Sequence, residues 1–388
     1  MRFYLIILFS LGFTLSVNAQ PGTTAVPFIT VNNSVQSLSL GSGNVAGKGD
    51  TWVFHLNPAG IFYGDATARL SFHTFVPYSD FYDMRINSII GGHQFRKLAI
   101  SYSLVNYDLG TNYITAPDSP EVIDEFRSYE VYVNFSAAYH FENGFSVGGG
   151  LNYIHSNLGG GQSINSQGIF AGEAISVDVG TRYENTVYTS DYFSITFSAG
   201  LSLTDFGNKI KYIKSVEGDP LPMIMRGGLG ISLKSEKQLK GLDLYEVKYY
   251  GALSKYMSGY EIKSDSTVEG YGPVKALYKT WGSYEWFNGM EYIQVSPGDQ
   301  IWKHSGIEFS VLETFYFRIG EEMPEMLVES SSYNAIGFGI DLYYLRFDYA
   351  RVNYKRGYPF ERKQYFWQFS GRIPLDGKRP DSILNFFF

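Results

Sequence analysis

Apolar and polar side chains alternate without a break over Tyr192–Thr204, which reads YFSITFSAGLSLT. The apolar positions are Phe193, Ile195, Phe197, Ala199, Leu201 and Leu203, and the intervening residues are serine, threonine or glycine. This period of two is that of a strand, whose successive side chains lie on opposite faces. In a soluble sandwich the apolar face would pack against a second sheet. In an outer-membrane barrel it would face lipid, and the small polar residues would line a wet lumen.

The same alternation recurs along the chain and predicts fourteen strands. In the first half these are Arg69–Val76, Arg85–Gly92, Lys97–Tyr107, Ser128–Phe141, Phe145–His155, Glu173–Tyr183 and Tyr192–Phe206. In the second half they are Met223–Lys234, Leu242–Tyr256, Trp302–Val311, Phe315–Glu322, Asn334–Leu342, Tyr344–Asn353 and Lys363–Ile373. Many short strands at regular spacing are typical of an all-β sandwich or barrel.

The links between these strands decide between the two architectures, because they alternate in length. Asp108–Arg127, Ser156–Gly172 and Met257–Ile301 are long links, whereas Glu142–Gly144 and Leu312–Thr314 are tight turns. Outer-membrane barrels have short periplasmic turns and long outward loops, while a sandwich has no reason to sort its loops in this way. The pattern therefore predicts an all-β fold: a transmembrane outer-membrane β-barrel of about 14 antiparallel strands.

The charged positions within the strands fit a wet lumen. In Ser128–Phe141 the apolar set would face lipid, and Glu130 and Asn134 fall on the opposite face. In the strand Glu173–Tyr183, Asp178 and Arg182 also fall on the inward set. A charge facing hydrocarbon would cost about 2 to 4 kcal/mol. We therefore predict that Glu130, Asn134, Asp178 and Arg182 face the lumen.

The two ends of the chain suggest four regions. Residues 1–19 have one cation, an uncharged apolar run and Val17-Asn18-Ala19, which is the pattern of a cleaved secretory signal peptide. We expect a plug-like segment at 20–66, the barrel at 67–375 and a tail at 376–388. Export with a barrel implies the outer membrane of a Gram-negative cell.

Composition narrows the function further. The 32 tyrosines and 30 phenylalanines, with only 18% charged residues, fit a membrane barrel with aromatic belts. The net charge of −7 argues against nucleic acid as a partner. Cysteine is absent and the six histidines have no metal-ligand spacing, so we predict no metal and no cofactor. No catalytic dyad, triad or nucleophile elbow is evident, so the sequence does not indicate an enzyme.

The segment before the first strand carries a resemblance. Leu40-Gly41-Ser42-Gly43-Asn44-Val45-Ala46 is followed by Asn57-Pro58-Ala59-Gly60, a turn that redirects the chain. This order resembles the plug region of the FadL superfamily, particularly its PorV branch from the type IX secretion system. Later stretches resemble the same branch: Ser156–Gly160, Ala174–Val179, Leu203–Tyr212, Asp219–Pro222, Arg226–Gly228, Gly306–Phe309, Phe317–Gly320, Gly337–Gly339 and Phe347–Ala350.

The resemblance implies a shuttle that receives secreted proteins with C-terminal sorting domains from the translocon and passes them to the surface-attachment machinery. Trp281, Trp286 and Phe287, in the long outward loop, are then the candidate binding residues. The alternative is a FadL-type channel for hydrophobic solutes, with a lateral gap permitted by small inward residues such as Gly148 and Gly150. A lipid-A deacylase or similar membrane hydrolase is a third possibility, for which no catalytic constellation is present.

Overall fold

The computed structural model describes most of the chain, namely residues 24–64, 67–76, 83–115, 119–160, 163–164, 167–214, 217–263, 267–287, 291–323, 332–354, 363–375 and 383–386. The predicted signal peptide, residues 1–19, lies outside the described residues, as does most of the tail. Among the helices of the described ranges, none has the length and apolar character needed to cross a membrane.

Fourteen antiparallel strands form one closed barrel, as predicted. The strands are β1 (Thr67–Phe75), β2 (Arg85–Phe95), β3 (Leu98–Thr115), β4 (Val122–His140), β5 (Phe145–Asn157), β6 (Gly172–Thr189), β7 (Phe193–Gly207), β8 (Ile224–Ser235), β9 (Tyr245–Tyr256), β10 (Trp302–Val311), β11 (Phe315–Met323), β12 (Tyr333–Asp341), β13 (Leu345–Tyr354) and β14 (Lys363–Pro374). Each strand pairs with its neighbours in sequence, and β1 pairs with β14 from Thr67↔Pro374 to His73↔Gln368. Closure leaves the barrel sheet without an open edge.

Several strand boundaries differ from the sequence prediction by three residues or more. The prediction ends the sixth strand at Tyr183, but the pairing of β6 with β7 continues as far as Thr189. The prediction ends β3 at Tyr107, but its pairing with β4 continues past a bulge between Asp108 and Thr111 as far as Thr115. The hairpin therefore extends beyond the other strands, where its mixed polar and apolar residues are mostly exposed. The prediction also begins β9 at Leu242. Leu242–Asp243 instead pairs with Gln238–Leu239 in a small hairpin inside the turn, so the strand starts at Tyr245.

The two faces of the barrel wall differ as the alternation requires. On β7, Phe197 and Leu201 point outward and are 38% and 52% exposed, while Ser198 and Ser202 point inward and are buried. The barrel thus has an apolar exterior and a polar interior. We call the end with the short turns the turn end and the opposite one the loop end; in outer-membrane barrels the short turns are periplasmic.

Residues 24–64 fill the lumen, and we call them the plug. They form the short helix α1 (Val35–Ser39) and 3₁₀ turns at Pro27–Thr30, Asn44–Ala46, Val53–His55 and Pro58–Gly60. Ser34 caps α1 by accepting a hydrogen bond from the Ser37 amide at 2.9 Å. Most plug residues are buried, and apolar plug side chains such as Phe54 pack in a core with inward residues of β2 to β6.

The link between β9 and β10, residues 257–301, is folded. It contains the hairpin Tyr260–Ile262 with Val268–Gly270, the helix α2 (Pro273–Lys279), and the hairpin Tyr284–Phe287 with Tyr292–Val295. Tyr271 and Ala276 pack with Met223 and Met257 at the barrel rim. We call this segment the outer loop.

Candidate functional site

The Asn57-Pro58-Ala59-Gly60 turn is a junction between the plug and the wall. The Asn57 Oδ1 accepts a hydrogen bond from the Ala59 amide at 3.0 Å, and Pro58 occupies the first position of the 3₁₀ turn. The Asn57 Nδ2 donates to the carbonyls of Val45 in the plug and Thr181 on β6, both at 3.0 Å. One buried amide thus joins two plug segments to the barrel.

Glycines on the inner wall let the plug backbone approach closely. A Cβ added to Gly148 would lie 2.4 Å from the Ala59 nitrogen, and one added to Gly200 would lie 2.5 Å from the Val45 carbonyl oxygen. On the opposite wall, a Cβ on Gly320 would lie 2.2 Å from the Gly41 nitrogen. No side chain fits at these distances, so these glycines serve as docking positions for the plug.

This packing corrects the suggestion that Gly148 and Gly150 leave a lateral gap. The space beside Gly148 holds the backbone of Pro58 and Ala59. The space beside Gly150 is taken by side chains of the wall, with the Ser136 Oγ at 2.5 Å from an added Cβ. The small inward residues therefore accommodate the plug and wall side chains, and they form no opening.

Polar side chains of the wall lie within hydrogen-bond distance of plug carbonyls. The His140 Nε2 lies 2.8 Å from the Ile61 oxygen, Arg182 Nε donates to the Ala46 oxygen at 2.8 Å, and Ser202 Oγ donates to the Leu56 oxygen at 2.5 Å. On the other side, His304 Nδ1 lies 3.0 Å from the Gly41 oxygen. These contacts satisfy buried carbonyls that regular secondary structure leaves unpaired.

The structure places all four predicted lumen residues on the inner face, where each is buried, and Asn152 joins two of them. The Asn134 Nδ2 donates to the Asn152 Oδ1 at 2.5 Å, and the Asn152 Nδ2 donates to Asp178 at 3.0 Å. Glu130 lies apart and accepts a hydrogen bond from a serine on β5. Arg182 lies nearer the turn end, where it pairs with Glu184. These side chains hold the plug and the strands together rather than forming a single reactive centre.

Sequence analysis missed a buried ionic network on the wall of the second half. Arg318 is fully buried and bridges Glu308 at 2.6 Å and Asp348 at 2.8 Å. Arg346 binds the same Asp348 at 2.7 Å, and Lys248 lies 3.3 Å from Glu308. The inward charges on alternating positions of β10, β11 and β13 were the available signal. Which of them meet depends on the strand register.

Two cavities lie at opposite ends of the plug. The cavity at the turn end has a volume of about 590 Å³ and is lined by charged side chains of both signs, including Lys48, Glu184 and Arg372. The cavity at the loop end has a volume of about 330 Å³ and is lined by many aromatic residues. Its aromatic residues are Phe75, Tyr256, Trp302, Tyr333, Tyr354 and Phe366. Among the described residues, no residue lines both cavities, because the plug lies between them.

His55 of the plug borders the aromatic cavity and is nearly completely buried. Burial lowers the pKa of its imidazole to about 3, and the nearby Arg226 guanidinium acts in the same direction. The ring is therefore neutral at physiological pH. Within the plug, burial also raises the pKa of the Asp50 carboxyl, against the effect of its hydrogen bonds from Ser34 and the Trp52 amide.

The outer loop presents aromatic side chains to solvent. Trp281 is 37% exposed, and its Nε1 donates to the Leu277 carbonyl at 2.9 Å. Tyr278 and Tyr292, which sequence analysis did not single out, are 52% and 74% exposed. Trp286 and Phe287 belong to the second hairpin of the loop, and their side chains lie outside the described residues. Across the described part of the chain, no group of three or more His, Asp or Glu residues is arranged to hold a metal ion.

Comparisons with known proteins give similar solved structures and one matching family. A search among curated proteins gives no match. Several solved barrels are similar in structure. The toluene transporter TbuX of Ralstonia pickettii has a TM-score of 0.46 at 10% identity, covering 89% of this chain and 99% of that one. The CymD monoaromatic hydrocarbon channel has a TM-score of 0.46 at 13% identity, with 89% and 98% covered.

A comparison with protein-family models is more specific than the structural similarities. Residues 16–241, more than half of the chain, match the family described as type IX secretion system protein PorV. The match includes the plug, the Asn57 junction and the strands β1 to β8, whereas the outer loop and the ionic network fall beyond it. The chain is an outer-membrane β-barrel that belongs to the PorV family of the type IX secretion system.

Proposed function

We propose that this protein binds secreted proteins with C-terminal sorting domains as they leave the type IX translocon and passes them to the attachment machinery at the cell surface. Membership of the PorV family supports a role in secretion. The proposal requires recognition and release, and it assigns no catalytic step to any residue. The chain would act after export to the outer membrane by a cleaved signal peptide.

The filled lumen is the observation that carries the proposal. The plug core, including Val45, Phe54 and Asn57, is fully buried between the two cavities. A folded domain cannot pass through a lumen packed in this way. Recognition of a large partner therefore belongs on the exposed outer surface, and loops held by a rigid scaffold commonly provide such surfaces.

The outer loop offers the chemistry expected of that surface. Val274, Tyr278, Trp281 and Tyr292 are between 37% and 74% exposed, and they lie on α2, directly after it and on the second hairpin. Tyrosine and tryptophan are the residues most enriched among those that dominate binding energy at protein interfaces. The Met223 and Met257 core below the loop holds α2 on the barrel rim. We therefore place the cargo-binding surface here.

Point substitutions in the loop test the proposal without removing its core. The variant Tyr278→Ser, Trp281→Ser and Tyr292→Ser should assemble as a barrel but lose cargo in a pulldown with a purified sorting domain. Secreted proteins should then accumulate in the periplasm. These substitutions are preferable to deleting Ser264–Asn288, because that deletion would remove the buried Tyr271 and Ala276 as well.

A matched control lies on the extended hairpin of β3 and β4. Tyr113 and Ile123 are 62% and 63% exposed there, so Tyr113→Ser with Ile123→Ser removes exposed apolar side chains from another part of the surface. This control should retain cargo binding. Equal binding by the loop variant and the wild-type protein, with secretion intact in a null strain, would rule out the shuttle role.

The aromatic cavity favours a second candidate, a channel for hydrophobic solutes. Its volume of about 330 Å³ and its six aromatic residues fit a small apolar molecule. Passage would require the plug to move. Under this alternative, Asn57→Ala should raise uptake of a hydrophobic solute, measured in whole cells, and the loop substitutions should leave both secretion and uptake unchanged.

A further inference from the structure

Two arginines lie directly opposite each other at the turn end of the lumen. Strand pairing places Arg69 on β1 opposite Arg372 on β14, and Arg346 on β13 lies opposite Ser370 of β14. Each of the three arginines has an exposed apolar neighbour in the chain, so their side chains point inward and line the turn-end cavity. We call them the arginine wall. Like charges directly opposite each other in a sheet are destabilising, so this wall favours a bound anion.

The carboxylates near the arginine wall are too few to pair with each arginine separately. The Asp341 carboxylate is shared, since it lies 2.6 Å from Arg372 and 3.4 Å from Arg346. Arg69 forms no ion pair with any residue that the structure describes, and its Nη1 donates instead to the Gly49 carbonyl of the plug at 2.7 Å. The wall therefore has a positive charge that the protein itself leaves without a carboxylate.

Tyrosine rings hold two of the guanidinium groups in place. The Arg372 Cζ lies 4.6 Å from the centre of the Tyr343 ring, and the Arg346 Cζ lies 4.5 Å from the centre of the Tyr316 ring. Tyr343 is itself fixed, because its amide donates to the Asp341 Oδ1 at 2.8 Å. Stacking uses the face of a guanidinium, whereas its N–H edge matches the two oxygens of a carboxylate. The arginine wall is therefore arranged in advance to bind a carboxylate.

The other side of the same cavity is acidic. Glu246 lies on β9, which is six strands away from β1 around the barrel, Asp243 directly precedes that strand, and Glu313 lies in the turn between β10 and β11. We call these three residues the acidic wall. Lys234 pairs with Asp243 at 2.7 Å and Lys248 pairs with Glu246 at 2.8 Å. Glu313 accepts a hydrogen bond from the Asp243 amide at 3.2 Å, but no cation pairs with it in the described part of the chain.

Opposite charges on the two walls restrict the class of ligand. A polyanion would be repelled by the acidic wall, and an apolar solute would leave the charges of both walls unpaired. The two charges of a free amino acid are too close together to reach both walls, whereas the ends of an extended tripeptide lie about 10 Å apart. The cavity volume of about 590 Å³ is in the range of sites for small ligands.

We propose that the turn-end cavity binds a short peptide that has both ends free. The peptide carboxylate accepts hydrogen bonds from Arg69 and Arg372 and separates their like charges. Its ammonium group lies at Glu313 on the acidic wall. The short turns of outer-membrane barrels face the periplasm, so the ligand is a periplasmic peptide. The site is independent of cargo recognition, because the plug separates this cavity from the loop end.

Trialanine is the probe, and its affinity is measured by calorimetric titration of the purified full-length barrel in detergent micelles. Amidation of its C-terminus should weaken binding about tenfold, because the hydrogen bonds from the arginine wall to a charged carboxylate are lost. Acetylation of its N-terminus should weaken binding about threefold, since ion pairs near solvent contribute less. Alanine and inorganic phosphate should bind more weakly than trialanine. Equal affinity for trialanine and its amide, or tighter binding of phosphate, would overturn the inference.

Two variants test which wall binds each end of the peptide. Arg69→Gln should weaken trialanine binding about tenfold. It should not lower the urea midpoint for unfolding, because it removes the repulsion from Arg372. Glu313→Gln should weaken the binding of trialanine and leave that of acetylated trialanine unchanged. Lys97→Gln is the control, since Lys97 pairs with Glu142 outside the cavity. Wild-type affinity for trialanine in Arg69→Gln would contradict the assignment.

The two binding measurements separate this site from the proposed cargo role. Arg69→Gln should retain cargo in the pulldown with a sorting domain, and the outer-loop variant should bind trialanine like the wild-type protein. A wild-type barrel that binds no trialanine would reject the peptide site and leave the shuttle role standing. An outer-loop variant that retains cargo would reject the shuttle role and leave the peptide site standing.

Discussion

Glycines dock the plug backbone in both halves of the barrel, but the two halves arrange their buried polar side chains differently. In β4 to β8, side-chain amides join strands and carboxylates, with the Asn134–Asn152–Asp178 chain as the example. In β9 to β13, Arg318 and Arg346 organise a dense network of buried charges. The family match ends at residue 241, so it covers the first kind of wall and stops before the second.

The difference shows that one barrel uses amide-to-carboxylate hydrogen bonds on one side and linked ion pairs on the other, with close plug packing on both. Close packing tolerates no added volume, whereas a buried charge network tolerates no missing partner. The outward faces differ as well: β4 is apolar at five successive outward positions from Tyr139 to Val131, whereas β11 and β12 carry the outward polar residues Glu321 and Asn334.

Removing the central charge of the ionic half should have the largest effect. Arg318→Met would leave Glu308 and Asp348 buried near each other with Arg346 and Lys248 as the remaining cations. Breaking a buried pair in this way costs about 3 to 5 kcal/mol. We expect a clear fall in the urea midpoint for unfolding from lipid vesicles. In the triple variant Arg318→Met, Glu308→Leu and Asp348→Leu, much of that loss should be restored. No recovery would mean that shape, not charge, matters at this site.

The outward faces should respond differently to the same substitution. Phe135→Arg places a charge against lipid at mid-depth and should cost about 2 to 4 kcal/mol. Asn334→Arg lies at the same height next to Glu321 and should cost less than about 1 kcal/mol in vesicles, because the new cation has an acidic neighbour. Folding titrations of the two variants measure the difference. Similar losses for both would remove the contrast between the two walls.

A single methyl group tests the close contact between β5 and the plug. A Cβ on Gly148 would meet the plug backbone at 2.4 Å, whereas a Cβ on the adjacent, outward Gly149 would meet nothing closer than 3.5 Å. Gly148→Ala should therefore destabilise the plugged state by about 1 to 3 kcal/mol, and Gly149→Ala should be nearly neutral. Protease sensitivity of the plug reports the change. If both variants behave like the wild type, the plug does not depend on this contact.

Acid should loosen the plug through His55. The folded protein holds this imidazole neutral down to about pH 3, while the unfolded chain takes up a proton below about pH 6.5. The stabilisation that buried, neutral His55 gives to the folded plug is therefore fully present above pH 6.5 and is lost as the pH falls toward 3. Amide exchange of residues 53–60 should increase over this range in the wild type and increase less in His55→Phe. An identical pH response in both proteins would assign the effect to other groups.

Alternation in the sequence predicted the fourteen strands, most of their boundaries and, on the fourth, sixth and seventh strands, which side chains point inward. This worked because a period of two directly encodes which face a residue occupies. Boundaries failed where pairing continued past the bulge at Asp108 and where Leu242 joined a small local hairpin. In both places, hydrogen bonding between segments set the strand boundary, and the local alternation of residues did not indicate it.

The sequence alone therefore determined the barrel, its polar interior and the position of the Asn57 turn before the first strand. Only the tertiary structure decided which inward residues meet: Arg318 with Glu308 and Asp348, and Gly148 with Ala59. It also aligned Ser305, Glu321 and Asn334 into one row. Contacts of this kind depend on strand register and on the path of the plug through the lumen. These are set by the closure of the whole barrel, because no single strand contains the partner of its own side chains.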